Sequence, residues 1–435
     1  MRLFRRKAIQ DRFEVKHAAF LYGIGAARWL ERRFDVLATE GYEQNPVVYA
    51  CVSKLAKAVS SVDIHLYRKS GGRLTKVEEH DVLDLLSRPN PLSGGRKLVE
   101  TLATNYLVGG NTYLLGTGID PKARRSAAPS ELWVLPTQAV TVKPGRTLLF
   151  PDAFEYREQT GGMTRYPVDA VSGRSAVLHL KTVNPLNPLL GLPPLVAAAY
   201  GVDVFNSGQA WNKALLDNSA RPPGALMVKG ESGQSASLSD EQYNRLKTSF
   251  EQEYSGSRNA GRPLLLEGGL EWKQFGLSPV DMDHKENMLT NARFIAGVYG
   301  VPPMLVNIPG ESTYSNFSEA KLAFWSDTVL PLLGTLLEDL GNWLTPLYGD
   351  DLFLWYDEEM IPALEPLRKE KSTRINASEF MTVNEKRRAM GLDDYEGGDV
   401  LLVASSDVPL ELAGAMPALP EPDSEEDTKP EEAEE

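Results

Sequence analysis

Between Leu192 and Leu347 the sequence sets long helix-forming stretches around a short, self-contained interruption, and this order restricts the fold more than any other feature. A helical segment opens after Pro193-Pro194 and continues to Asn218, on the order of 38 Å of helix, with Gly201 and Gly208 as local weak points. Arg221-Pro222-Pro223-Gly224 stops it. Pro222 to Leu277 then reads as strand (Ala225–Lys229), helix (Ser239–Tyr254), strand (Pro263–Glu267) and strand (Glu271–Gly276). A module of that size is marginal alone on surface-to-volume grounds and needs neighbours. A second helical segment starts at Ser278-Pro279-Val280-Asp281, which resembles a capping box, and places Met288, Ala292, Ile295 and Tyr299 on one stripe before Gly300-Val301-Pro302-Pro303.

A loop from Val306 to Phe317, rich in Asn, Gly, Ser and Thr, separates this from the next helix. There Leu322, Trp325, Val329, Leu332, Leu336, Leu340, Trp343 and Leu347 recur at steps of three and four. Pro331 falls inside the pattern, where it removes one backbone hydrogen bond and is expected to bend the axis. Two long helices joined through a small module suit the helical wall of a ring better than an enzyme.

The preceding sequence predicts an irregular arm over residues 1–40 and then an α+β unit to about residue 190. Asn45-Pro46 is an N-cap followed by proline at the first helical position, with Val47, Cys51, Leu55, Ala58 and Val59 at helical spacing. Val62–Tyr67 alternates like a strand and is turned by Gly71-Gly72. Short helices follow at His80–Pro89 and Gly95–Val108, the second ended by Gly109-Gly110-Asn111. Strands are predicted at Asn111–Gly116, Glu131–Pro136, Ala139–Lys143 and Ala176–Lys181. Beyond Asp357-Glu358-Glu359, short polar helices are expected at Arg368–Ala377 and Asn384–Met390, and a Pro/Glu-rich tail without a core after Ala413.

Charge is unevenly distributed. Residues 1–33 carry +6 and residues 417–435 carry −8, which leaves −11 on the body of a chain whose net charge is −13. An acidic body is a poor sequence-independent grip on duplex DNA, which requires clustered Lys and Arg. No apolar stretch is long enough to span a membrane. Cys51 is the single cysteine, so an internal disulfide is excluded, and its helical setting reads as a small core residue. G-x-x-x-x-G-K-[ST], H-E-x-x-H and G-x-S-x-G are all missing. Asp281, Asp283 and His284 are the nearest approach to a metal-dependent hydrolase, but residues 281 and 283 on one helix point about 200° apart, and acids in a first turn answer the helix dipole. Gly109-Gly110-Asn111 lacks the lysine and following helix of a phosphate loop and reads as a helix-to-strand turn.

Six short motifs occur in order: Asn45-Pro-Val-Val-Tyr-Ala-Cys-Val52, Arg88-Pro-Asn-Pro91, Gly109-Gly-Asn-Thr-Tyr113, Ala220-Arg-Pro-Pro-Gly224, Gly300-Val-Pro-Pro303 and Thr313-Tyr-Ser-Asn316. Over residues 45–400 the set resembles tailed-bacteriophage portal proteins of the lambdoid-capsid type, which also occur in prophages and gene transfer agents. The resemblance implies a ring, usually of twelve subunits, at one capsid vertex of the virion, assembled in the bacterial cytoplasm and passing double-stranded DNA inward and outward. Its expected partners are other copies of itself, the terminase large subunit, a head-tail adaptor and the major capsid protein, with no membrane, cofactor or catalytic residue. A shorter neck component is the alternative virion reading.

In the portal layout, residues 1–40 would be the arm, 41–192 the main part of the wing, 193–221 and 278–303 the two-helix stem, and 222–277 a small α/β clip. Residues 304–317 would form the tunnel loop and 318–347 a kinked tunnel helix. Residues 348–367 would return to the wing, 368–412 would form a helical crown, and 413–435 an acidic tail. The resemblance turns Asn307, Glu311, Ser312, Thr313, Tyr314, Ser315 and Asn316 toward DNA and makes Pro331 the helix kink. This loop holds Glu311 and no Lys or Arg between Val306 and Phe317, which suits sliding rather than holding.

Overall fold

Asn45 begins the body of the fold as the sequence predicts: its side-chain oxygen accepts hydrogen bonds from the Val47 and Val48 amides at 3.0 and 3.1 Å, and Pro46 fills the first helical position. The structure, a computed structural model, describes residues 33–70, 73–121, 128–146, 150–217, 224–228, 239–254, 270–274, 284–310, 314–349 and 351–401. They divide into two compact units, one to Ala363 and one from Leu364.

In the first unit, α1 (Phe34–Val36) runs into a π-helical segment, Leu37–Glu43, ahead of α2 (Pro46–Ser61). The irregular arm expected to residue 40 is therefore helical from Phe34 onward. The cause is packing: Leu37 is fully buried, and Gly41 and Gly109 lack the Cβ that would meet Leu195 and the Phe34 ring at 2.4 and 2.3 Å. On α2, Cys51, Leu55 and Val59 are buried, and Val47 and Ala58 are half-buried. Burial pushes the Cys51 thiol up to about 12, as befits a core residue.

A hairpin follows, β1 (Ile64–Ser70) and β2 (Arg73–Val77), then α3 (Asp81–Ser87) and α4 (Gly95–Gly109). Gly110, at φ 65°, ends α4 in the left-handed region and turns the chain into β3 (Asn111–Gly116), the helix-to-strand turn read from sequence. β4 (Leu132–Leu135), β5 (Val140–Pro144), β6 (Pro151–Arg157), β7 (Met163–Pro167) and β8 (Val177–Lys181) complete two three-stranded antiparallel sheets, ordered β4-β3-β8 and β5-β6-β7. Tyr113, Leu135, Phe154 and Val177 close the core between them. β6 and β7 are additions to the sequence reading.

The predicted long helix begins as one turn, α5 (Pro194–Ala197), and continues as α6 (Ala199–Asp217). Of the following module, β9 (Gly224–Val228), α7 (Asp240–Tyr254) and β10 (Leu270–Gln274) are described, and β9 pairs antiparallel with β10. The strand predicted at Pro263–Glu267 lies outside the described residues. So do the capping sequence at Ser278 and the hydrolase candidates Asp281 and Asp283. His284 opens α8 (His284–Val298).

Next come α9 (Tyr314–Ala323), a π-helical segment (Phe324–Val329) and α10 (Leu330–Leu344). α10 buries Leu333, Leu336, Leu337, Leu340 and Leu344. It lies against β11 (Leu352–Tyr356), a further strand that pairs with β1 to give the sheet order β11-β1-β2. Gly334 and Gly341, one heptad apart, face Trp355 and Leu354 of that strand. Trp343 is a core contact, its indole N–H donating to the Ser175 carbonyl at 2.9 Å.

The second unit is built on α11 (Glu365–Asn376) and α12 (Val383–Ala389), close to the two polar helices expected. Thr382 and Glu385 form a reciprocal capping box. The buried Asn384 exchanges hydrogen bonds with the Tyr395 backbone at 2.8 and 3.0 Å. Asp394 binds Arg388 through two hydrogen bonds of 2.7 and 2.9 Å, which ties the exposed stretch after α12 back onto that helix.

Candidate functional site

The elements singled out from the sequence meet where α6 and α8 run antiparallel. Gly201 and Gly208 lie one heptad apart on the contact face. Cβ atoms there would fall 3.5 Å from the Asn291 and Ile295 side chains and 3.6 Å from Met288. The two glycines that weaken α6 locally thus lie on the face it packs against α8. Ala292, Ile295 and Tyr299 are buried and Met288 is half-buried, so the predicted stripe is the packed face of α8. Asn206 ties α6 to the N-terminal segment, donating to the Glu40 carbonyl and accepting from Asn45, both at 2.9 Å.

The chain leaves α8 through Gly300, at φ 64°, and a 3₁₀ turn, Pro303–Val306. Burial raises the pKa of the Tyr299 phenol, whose hydroxyl donates to the Leu107 carbonyl at 3.4 Å and fastens this exit to α4. Asn307, at φ 58°, is the one non-glycine residue with positive φ among those described. Asparagine tolerates that region better than most side chains. The Ile308 amide donates back to the Pro303 carbonyl at 3.0 Å. Arg293 of α8 donates to the Pro309 carbonyl at 2.8 Å, which brings a cation to the base of a loop that has none in its own sequence. Sequence gives no sign of this, because residues 293 and 309 meet only through the fold.

The predicted loop is shorter than read. Glu311, Ser312 and Thr313 lie outside the described residues, but Tyr314, Ser315 and Asn316 form the first turn of α9 and are not loop residues. Hydroxyl and amide side chains that suggest a loop are also those preferred where a helix begins. The helix after the loop carries its irregularity just before Pro331. Phe324–Val329 is π-helical, and Pro331 sits exposed in the first turn of α10. A proline has no N–H to return to the preceding turn, and a π segment places the resulting gap where an α-helix restarts. The extra residue also rotates the apolar face: Val329, Leu336 and Leu340 are buried as predicted, but Leu322, Trp325, Leu332, Trp343 and Leu347 are half-buried, and Phe324, Leu333, Leu337 and Leu344 take the inner positions. Thr328 closes the arrangement by donating its hydroxyl to the Gly300 carbonyl at 2.8 Å.

Among the described residues no group of three or more His, Cys, Asp or Glu side chains is placed to hold a metal ion, and no helix is long and apolar enough to cross a membrane.

Comparison with known proteins agrees with the architecture. Residues 46–391 match the family described as "Phage portal protein". A chain from the neck of a native gene transfer agent particle, computed with twelve-fold symmetry, is 39% identical and superposes with a TM-score of 0.62, covering 86% of this chain and 97% of that one. An uncharacterized protein of Rickettsia bellii is 37% identical over 362 residues, 83% of this chain and 90% of its own length. The portal protein of Enterobacteria phage HK97 is 24% identical over 378 residues, 84% of this chain and 83% of its own. With the match extending from the first turn of α2 past the end of α12, the chain belongs to the phage portal protein family.

Proposed function

We propose that this protein forms a closed ring, of twelve subunits, at the unique vertex of a capsid, and that DNA enters and leaves the particle through its axis. The observation that carries the reading is the close antiparallel α6–α8 pair with a small module between its helices and a polar loop after it, in a chain 39% identical to one from a twelve-fold gene transfer agent neck. In this reading α6 and α8 are the stem, residues 222–277 the clip and residues 41–192 the wing. Residues 307–313 project toward the axis, α9, the π segment and α10 form the tunnel helix, and residues 368–412 form the crown. The clip meets the terminase large subunit during packaging and a head-tail adaptor afterwards, while the wing meets the major capsid protein.

The ring moves no DNA by itself and hydrolyses nothing. Its task is to hold a passage open and smooth. A body of charge −11 repels the phosphate backbone, and the loop adds Glu311 and no cation. Arg293, at the loop's base, has a backbone carbonyl as its partner, so its interaction shapes the loop. The test is genetic: particles assembled without this protein should contain no packaged DNA. DNA-filled particles made in its absence would overturn the reading.

A further inference from the structure

The segment joining β8 to α5, residues 182–192, contains no charged residue. It exposes Val183 and Leu186 at 89% and 90%, with Leu190 and Leu192 more than a third exposed. A single exposed leucine requires no explanation, but four apolar side chains within ten residues do. The segment is also held in shape. Asn184 Oδ1 accepts from the Leu186 and Asn187 amides at 3.1 and 3.2 Å, and Asn187 Oδ1 accepts from the Leu189 and Leu190 amides at 3.0 and 3.3 Å. Lys181 donates to the Pro188 carbonyl, and Thr182 donates to the Leu192 carbonyl at 2.6 Å. The Gly191 amide donates to the buried Asn111 Oδ1 at 2.8 Å. This is a preformed apolar knob, attached at Gly110 and Asn111 to the C-terminal end of α4.

At the other end of the same helix is an open cavity of about 440 Å³ lined by Ile64, Leu83, Leu86, Leu98, Val99 and Leu102. Asp63 and Arg96 at its rim pair with each other at 3.1 Å, so an apolar occupant would strand no buried charge. The length of α4, about 21 Å, separates knob from cavity. One copy therefore presents two unlike, complementary apolar features at opposite ends of one helix, which is what a head-to-tail contact requires.

We propose that the knob of one subunit, through Leu186 and Val183, seats in the cavity of the next copy around the ring. The inference rests on the ring reading above and deepens it by naming the contact. Burying the knob removes its leucines from water, and the knob itself carries no charge into the contact. The twelve-fold symmetry of the 39% identical relative supplies the head-to-tail geometry in which every knob finds a cavity.

The test uses the full chain in three forms. Wild type should form closed rings by native mass spectrometry. Leu186→Asp should raise the concentration needed for assembly about tenfold or more, with an unchanged circular-dichroism spectrum. A chain carrying both Leu186→Cys and Val99→Cys should give, on oxidation, a ladder of covalent oligomers on a non-reducing gel, and neither single cysteine should do so. The native Cys51 is buried and does not compete. Absence of wild-type rings would overturn the ring reading and this contact with it. Wild-type rings without a ladder, or L186D rings that assemble normally but fail to enter capsids, would overturn this contact alone, the latter by assigning the knob to the capsid protein.

Discussion

Thr328 donates its hydroxyl to the carbonyl oxygen of Gly300 across 2.8 Å, joining the end of α8 to the π segment that precedes Pro331. Gly300 adopts φ 64°, and a Cβ there would lie 2.8 Å from that same hydroxyl oxygen. The two residues fix the angle at which the chain turns from one proposed stem helix into the loop and back. Thr328→Val should lower stability by about 1 kcal/mol, the net value of one hydrogen bond. Gly300→Ala should cost about 1–2 kcal/mol from the left-handed backbone alone. Equilibrium denaturation of both single variants and the double variant should show non-additive costs. Strict additivity would mean that the two residues are not coupled.

Glycines elsewhere should divide by their surroundings. A Cβ on Gly191 would lie 1.9 Å from the Gly110 carbonyl oxygen, whereas one on Gly297, on the exposed face of α8, meets nothing within 4 Å. Gly191→Ala should cost roughly 2 kcal/mol or more by forcing apart the β3–α5 junction. Gly297→Ala should be neutral or stabilising by about 0.5–1 kcal/mol. Melting temperatures of the two variants would separate them.

His179 supplies a pH prediction. Its ring stacks on Tyr113 with centroids 4.5 Å apart and hydrogen-bonds Asn111 Oδ1 at 3.0 Å. Burial, with Lys181 adding to it, pulls its pKa from 6.5 down to about 3. Above pH 6.5 the imidazole is neutral in folded and unfolded chains alike, and its packing is fully favourable. As pH falls from 6.5 toward 3 the unfolded chain takes up a proton that the folded one refuses, so stability falls by up to about 1.4 kcal/mol per pH unit. His179→Gln should flatten this part of the stability curve relative to wild type, measured by melting temperature between pH 7.5 and 4.5. Parallel curves would show that His179 does not titrate as buried.

Pro331 tests the mechanical role of the helix irregularity. Pro331→Ala restores a backbone donor and should let the π segment Phe324–Val329 relax toward regular α-helix, rotating α9 against α10. Rings should still assemble, because the buried leucines of α10 are untouched, but particles should package less DNA. Wild-type DNA content in the variant would count against the bend as a working part.

Features set by local chemistry were legible in the sequence. Asn45-Pro46 caps α2 because the amide oxygen and the proline ring act within three residues, and Gly110 ends α4 because its backbone conformation favours glycine. The stripe on α8 was readable for a similar reason, a repeat long enough to average out exceptions. The two π-helical segments were not, since over six or seven residues an apolar pattern does not separate a π turn from an α turn. β6 buries only the adjacent Ala153 and Phe154 and β7 buries no residue, which leaves weak apolar alternation in the sequence, and β11 is a short apolar run that fits a strand or a buried helix equally. The start of α9 was hidden by Tyr314, Ser315 and Asn316, whose composition fits a loop and a helix start alike. Arg293 at the loop's base and Asn111 beneath Gly191 depend on contacts 16 and 80 residues apart, which no local pattern announces.

Whether copies of this chain close into a ring around a channel is decided by an averaged image of the assembled particle viewed down its neck axis. A twelve-fold ring of this protein at a single vertex, with α6 and α8 walling an open axial passage, is the expected result. A neck whose ring is built from another protein, or a ring of this one with its axis closed in DNA-filled particles, would contradict it.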